Sequence, residues 1–297
     1  MNVLSLFDGM SCGQIALERS GIKVSNYFSS EIDKHAIQVT QDNYPNTVQL
    51  GSVVELDTKS LPKIDLLIGG SPCQNFSFIG KKEGMVTKDN IEITTLEQYL
   101  ELKDKNYEFL GESYLFWEYV RVLKQLNPKY FLLENVRMNK KWKNLISSVI
   151  GVEPININSS LLSAQSRNRS YWTNIPNVEQ PKDLKLTIKD ILDNEAKFTN
   201  EYPKWIDMKF GDRVRKSFIS NTNQKAECLI KSMYKGQTRS YCSNEKGELH
   251  KYSRNELERL QTVPINYTKS SSFTQACKML GNGWTVDIIA HIFKNLK

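Results

Sequence analysis

Short apolar runs alternate with amphipathic stretches through the first half of the chain, the rhythm of strands followed by helices. Residues 2–7 predict a buried strand, and the tight turn Asp8-Gly9-Met10-Ser11-Cys12-Gly13 then feeds a helix through residue 18 or 19. A second strand at 24–30 ends at Glu31, before a helix at 33–43. The pattern continues with a strand at 64–68, a helix at 113–126, a strand at 130–133, a helix near 141–150, and strands near 152–159 and 169–174. Such alternation predicts an α/β fold with a doubly wound, mainly parallel sheet.

Two stretches break the rhythm. Residues 80–111 are polar and long for a connection, which predicts either a lid near residue 73 or a surface insertion. From 175 to 251 the chain becomes rich in Lys and Asn, and a second, smaller domain is expected there. Ser253-Arg254-Asn255-Glu256 has capping-box spacing before Leu257 and Leu260, and 286–296 reads as a closing amphipathic helix. These last helices are expected to pack back on the first domain, making it discontinuous: 1–174 plus 252–297.

Composition narrows the class. With 297 residues and 39% hydrophobic content the chain can bury a full core. No apolar run approaches the roughly 20 residues that span a bilayer, and the N-terminus lacks a basic n-region, so a cytoplasmic protein without membrane contact is expected. The five cysteines are odd in number and show no CxxC spacing, and the three histidines are scattered, so neither a metal site nor a disulfide framework is expected. Net charge is +7, and residues 201–240 hold nine Lys/Arg against four Asp/Glu, a concentration that suits a polyanion.

Candidate chemistry gathers at predicted strand ends. The run Ile64-Asp65-Leu66-Leu67-Ile68-Gly69-Gly70 leads through Ser71 to Pro72-Cys73-Gln74, which would offer a thiol nucleophile at the carboxyl edge of the sheet. Phe7-Asp8-Gly9-Met10-Ser11-Cys12-Gly13 places two glycines between a strand and a helix N-terminus, a loop suited to an anionic group. Glu31, 23 residues after Asp8, stands where an acid in such folds bonds ribose hydroxyls. GxGxxG and a Walker lysine are both missing, so S-adenosylmethionine fits better than NAD or ATP. Glu134 ends the apolar strand Phe131-Leu132-Leu133, a setting for a partly desolvated proton donor. Arg167 and Arg169, spaced i, i+2, are expected on one face, able to grip a carbonyl oxygen, a phosphate or a carboxylate.

Taken in order, Phe7-Asp8-Gly9, Gly70-Ser71-Pro72-Cys73-Gln74, Glu134-Asn135-Val136, Gln165-x-Arg167-x-Arg169, Arg259-Leu260-Gln261 with Pro264, and Gly281-Asn282-Gly283 resemble the blocks of the DNA (cytosine-5)-methyltransferases. The resemblance spans the chain except about 80–112 and 175–250, and its Asp8-Gly9 turn and Gly283-Trp284 segment are similar to the animal de novo enzymes and their bacterial or phage relatives. It implies a Rossmann-like, S-adenosylmethionine-dependent methyltransferase fold with 175–251 as target-recognition domain. It further implies that Cys73 adds to C6 of a cytosine flipped out of double-stranded DNA, that Glu134 engages N3 and the exocyclic amine, that Arg169 holds the base carbonyl and that Arg167 supports the catalytic loop. The cofactor pocket would comprise Phe7, Asp8, Gly9, Met10, Ser11, Cys12, Gly13, Glu31, Ile32, Ser52, Val53, Pro72, Leu115, Asn282 and Trp284, and the 80–112 loop would close over the base. A monomer is expected, and a cognate restriction endonuclease as genetic partner, a solitary enzyme and a phage-borne one all remain open.

Two departures stand out. Gly51-Ser52-Val53 carries Ser where the family usually has an Asp that bonds the adenine amine, and the segment after Cys73 is long. The tRNA-methylating branch shares the Cys-Glu-Arg chemistry but carries a Cys-Phe-Thr tripeptide that is missing here. A catalytically dead binding module is the third reading, against which stand Cys73, Glu134 and both arginines.

Overall fold

Val3, Leu4 and Leu6 are fully buried because their segment, β1 (Asn2–Leu6), is an interior strand of a seven-stranded sheet. The structure, a computed structural model, describes residues 1–72, 85–201, 203–210 and 213–296. After β1 come α1 (Cys12–Arg19), β2 (Asn26–Ser30), α2 (Lys34–Asn43), β3 (Val48–Gln49), β4 (Leu66–Gly69) and α3 (Leu96–Asp104). Next are α4 (Phe116–Leu126), β5 (Tyr130–Val136), α5 (Lys140–Ile150), β6 (Ile155–Asn158) and β7 (Asn168–Thr173). The sheet order is β3-β2-β1-β4-β5-β7-β6, parallel except for β7, which runs against both β5 and β6. The expected doubly wound α/β sheet is therefore present. Its order reverses between β1 and β4, and in such sheets a crevice opens there above the carboxyl ends of the strands.

Both faces of the sheet are covered, which is why β4 reads as an unbroken apolar run rather than an alternation. Leu66 and Ile68 enter one core with α1 and the C-terminal helices, while Leu67 enters the other with α4 and α5.

Residues 85–112 are a fixed part of the second core and not a lid. Met85, Ile93 and Tyr99 are fully buried. Tyr99 donates its hydroxyl to Glu118 Oε1 at 2.5 Å, and Lys103 Nζ reaches the same oxygen at 2.6 Å. Only one residue in three of α3 faces inward (Leu96, Tyr99, Leu102), so the sequence reads as polar although the helix is anchored. The rest of the expected loop, from Cys73 through residue 84, lies outside the described residues.

The 175–251 region forms two antiparallel ribbons, β8 (Lys209–Phe210) with β9 (Arg213–Val214) and β10 (Tyr241–Ser243) with β11 (Leu249–Lys251). Ile206, Ile219, Tyr241 and Leu249 make a small core of its own, flanked by Trp205. Ile188, Ile191, Leu229, Met233 and Cys242 instead join the core shared with α6 (Arg254–Leu260), α7 (Phe273–Asn282) and α8 (Val286–Phe293). The capping box expected at Ser253 and Glu256 opens α6. Helix α8 packs back on α1, where Arg19 meets Asp287 at 2.7 Å and the Ser20 hydroxyl donates to the Ala290 carbonyl at 2.9 Å. The N- and C-terminal parts thus share one core.

Candidate active site at the carboxyl edge of the sheet

Three residues of the turn after β1 take left-handed backbone: Phe7 (φ 56°), Gly9 (φ 59°) and Ser11 (φ 58°). For Phe7 and Ser11 this is strained, and the surrounding bonds hold it. The Asp8 carboxylate accepts from Tyr27 Oη at 2.7 Å and from Ser11 Oγ, while Tyr267 Oη donates to the Met10 carbonyl at 2.7 Å. Asp8 is therefore the keystone of the turn, its carboxyl group committed inward; burial raises its pKa against the opposing pull of those hydrogen bonds. Cys12 starts α1 with a buried thiol whose pKa is pushed up to about 12, chiefly by burial, so it is no nucleophile. Gly13 leaves room for its neighbours: a Cβ there would lie 2.5 Å from Ile68 Cδ1 and 2.8 Å from Tyr27 Oη, so those side chains would have to shift.

Glu31 closes this cradle from the end of β2. Its Oε2 accepts the Gly9 amide at 2.7 Å, and Oε1 accepts the amides of Ile32 and Asp33 at 2.7 and 2.8 Å. Beside it Ile32 is 76% exposed, an unusual state for a large aliphatic side chain. Ser52 caps a 3₁₀ turn through the Val54 amide, and Val53 behind it is buried. Leu115 ends the 3₁₀ turn before α4, and Asn282 is the exposed last residue of α7.

At the neighbouring strand end, Ser71 is buried and Pro72 half-buried; Cys73 lies outside the described residues. Asn135 Nδ2 donates to the Ser71 carbonyl (3.2 Å) and hydroxyl (3.1 Å), tying the approach to Cys73 onto β5. Sequence reasoning placed Asn135 in a motif without giving it this task; a buried amide directly after a candidate acid was the available signal. Glu134, 8% exposed, meets Arg169 Nε at 2.8 Å through Oε1 and accepts the Trp284 indole N–H at 3.1 Å through Oε2.

Arg167 takes a different direction from Arg169. Its guanidinium donates to the carbonyls of Leu229 (3.0 Å), Gly281 (3.2 Å) and Gly283 (2.9 Å) and to Cys228 Sγ (3.3 Å). The divergence arises because Arg167 precedes β7, its amide drawn to Asn158 Oδ1 at 2.9 Å. Gln165 sits in the same joint, bonding Leu260, Gln261 and Leu229. Arg167 thus clamps the 175–251 region to the C-terminal helices, and the catalytic loop it was expected to support falls among the residues not described.

A groove of about 760 Å³ opens on the 175–251 region. Arg215, Lys235 and Arg239 line it together with Trp205, Phe218, Gln237 and Thr238. Arg239 is paired with Glu227 at 2.6 Å. Among the described residues no cluster of three His, Cys, Asp or Glu could hold a metal ion, and no helix is long and apolar enough to cross a membrane.

Comparison with known proteins places this geometry in context. A type II methyltransferase, M1.ScrFI of Lactococcus lactis subsp. cremoris, is 26% identical over 99% of this chain and 77% of its own length. The orphan methyltransferase M.SPRI of Bacillus phage SPR is 34% identical, over 46% of this chain and 26% of its own. The solved structure of the Entamoeba histolytica methyltransferase EhMeth superposes with a TM-score of 0.71 at 18% identity, covering 100% of this chain and 99% of that one. The family model for C-5 cytosine-specific DNA methylases matches residues 1–150 and 156–297. The strand-end acids, the glycine turn and the clamped arginine thus occur in a chain that belongs to the C-5 cytosine-specific DNA methylase family.

Proposed function

We propose that this DNA (cytosine-5)-methyltransferase transfers a methyl group from S-adenosylmethionine to C5 of a cytosine flipped out of double-stranded DNA, through a covalent bond between Cys73 and C6. The observation that carries the reading is the placing of Glu134, bound to Arg169, at the same sheet edge as the Gly70–Pro72 approach to Cys73 and beside the Phe7–Glu31 cradle.

The residues present fit the methyl donor. The turn before α1 and that helix's N-terminus suit a carboxylate, the Glu31 carboxylate suits a ribose diol, and the exposed Ile32 suits an adenine face. Phe7, Gly9, Met10, Ser11, Ser52, Val53, Pro72, Leu115, Asn282 and Trp284 would complete the pocket. Asp8, Cys12 and Gly13 shape it from within. Bound there, S-adenosylmethionine supplies an electrophilic methyl group.

The chain's own residues do the rest. Cys73 as thiolate forms a bond to C6 as the C5–C6 double bond opens, and Glu134 meets the resulting negative charge with a proton at N3. Arg169 holds the base carbonyl while keeping Glu134 in place. Once C5 carries the methyl group, its proton leaves to a base, the C6–S bond breaks as the C5–C6 double bond re-forms, and the N3 proton returns to Glu134, restoring the ring and the Cys73 thiolate. A cytosine within a duplex is out of reach of this edge, so the base must be flipped. The basic groove on 175–251 is suited to the phosphates and base edges of the target.

Methyl incorporation into duplex DNA and into tRNA, compared for wild type and Cys73→Ala, tests the reading. Transfer to duplex DNA that vanishes in the variant, with bisulfite sequencing locating the mark, is the expected result. Undiminished turnover by Cys73→Ala sinks the adduct mechanism, and transfer confined to tRNA sinks the DNA substrate.

A further inference from the structure

Trp284 reaches from the cofactor cradle to the catalytic carboxylate. On one side its ring approaches α1, where a Cβ on Gly13 would lie 3.7 Å from Cζ3. On the other its indole N–H donates to Glu134 Oε2 at 3.1 Å. Arg169 already occupies Oε1 at 2.8 Å, so the two donors hold one oxygen each. A carboxylate bound through both oxygens by groups from β7 and from the segment before α8 has no freedom to rotate about its terminal bond.

Gly70 makes the contact possible. A Cβ there would stand 3.0 Å from Trp284 Nε1 and 3.1 Å from Glu134 Oε2, crowding donor and acceptor alike from one side. The strand end that leads to Cys73 is therefore bare of side chain where indole and carboxylate meet.

We propose that Trp284 is a positioning residue: its indole N–H fixes the Glu134 carboxylate in the orientation that serves the flipped base, and Gly70 keeps the space beside that contact open so that both groups hold their places. The inference rests on the cytosine-5 reading for its chemistry but on the indole contact for its geometry. Trp284→Phe keeps an aromatic ring at this position and removes the donor together with the outer edge of the indole that approaches α1.

At saturating S-adenosylmethionine kcat in this variant should fall about 10–100-fold, the range for one hydrogen bond to a charged group. Gly70→Ala, which keeps the whole indole, should bind S-adenosylhomocysteine within about twofold of wild type and lose kcat over the same range, and the double variant should lose no more than the worse single one. In protein labelled with ¹⁵N-tryptophan, Glu134→Gln should move the Trp284 indole signal upfield and leave the other four of the five indole signals in place. A Trp284 signal unmoved by Glu134→Gln, a wild-type kcat in Trp284→Phe, or additive losses in the double variant would overturn the proposal. A wild-type protein that transfers no methyl group to duplex DNA overturns the substrate reading instead, and the indole signal still decides this one.

Discussion

Arg169 and Glu134 meet diagonally across β5 and β7: Arg169 is paired with Val136, Glu134 with Tyr171, and their charged ends close to 2.8 Å. Residues two apart on a strand share a face, so the register itself brings them together. Their side chains are only 13% and 11% exposed. Removing one partner of a pair this buried leaves the other uncompensated, at a cost of about 3–5 kcal/mol. Arg169→Ala should therefore lower unfolding free energy by that order in urea titrations. Replacing both residues with alanine should cost less than the sum of the single changes.

Glu134→Gln tests the acid. The amide keeps the shape but has no acidic proton to give and one oxygen for the two donors Arg169 and Trp284, so methyl incorporation should drop by about 10²–10⁴, the usual worth of a positioned acid, with some loss of stability beside it. Adduct formation on 5-fluorocytosine DNA should slow in parallel. Equal adduct rates in wild type and variant would show that Glu134 does not assist attack at C6.

The anchoring of 85–112 gives a second stability prediction. Glu118 is fully buried and accepts from Tyr99, Lys103 and Arg121 at 2.5, 2.6 and 2.6 Å. Glu118→Ala takes the buried countercharge from both cations, which keep only neutral acceptors (Val54 for Lys103; Val53, Leu56 and Gln125 for Arg121), and an acceptor from the phenol, so a loss of about 3–5 kcal/mol is expected. Protease cleavage should concentrate within 85–112 in the variant. A segment as readily cut in wild type as in the variant would restore the lid reading.

What the sequence disclosed follows from how each feature is encoded. The βα rhythm was legible because apolar runs such as Leu66-Leu67-Ile68 are buried on both faces. Glu134 stood out as an acid directly after the apolar run Phe131-Leu132-Leu133, and Glu31 by its place at a strand end 23 residues after Asp8. Helix α3 was missed because it shows the core only Leu96, Tyr99 and Leu102, and its carboxylate partner Glu118 is 14 residues past the helix end at Asp104. Arg167 was placed beside Arg169 on strand geometry, yet it sits before β7 where that geometry does not apply. Its partners, Leu229 and Gly283, are 62 and 116 residues away, a relation no local pattern records.

DNA binding should be strongly salt-dependent. Each phosphate neutralised contributes about −0.9 to the slope of log K against log salt, so Arg215→Ala and Lys235→Ala should each flatten the slope by about that amount while sparing base preference. Gln237→Ala in the same groove should instead relax sequence preference with the slope unchanged. Slopes identical to wild type for both cation variants would move the DNA path off this groove.

The joint between the 175–251 region and α6 should weaken as the pH rises. His250 Nδ1 lies 3.0 Å from the Lys197 carbonyl and Nε2 lies 2.8 Å from Glu256 Oε2. Both neighbours are acceptors, so both ring nitrogens are satisfied only when the imidazole is protonated. Burial opposes that charge, but Glu256 outweighs it, helped by the Lys197 carbonyl and the charge of Asp193, and the pKa is raised above 6.5. A histidine raised in the folded state contributes its stability in full below the unfolded value near 6.5 and loses it as pH rises through the higher folded value. Asp193 has the opposite sign. Burial alone would raise it, but Ser253 and Arg259 lower it, so its contribution is present above about 3.8 and lost as pH falls through the depressed folded value. His250→Ala should therefore cost about 1.5–3 kcal/mol at pH 6 and less at pH 9, the range for a hydrogen bond to a charged group. Urea unfolding at both pH values checks this. Equal losses at the two would mean that the stability His250 contributes does not change between pH 6 and 9, and the alkaline weakening of the joint would have no source in His250.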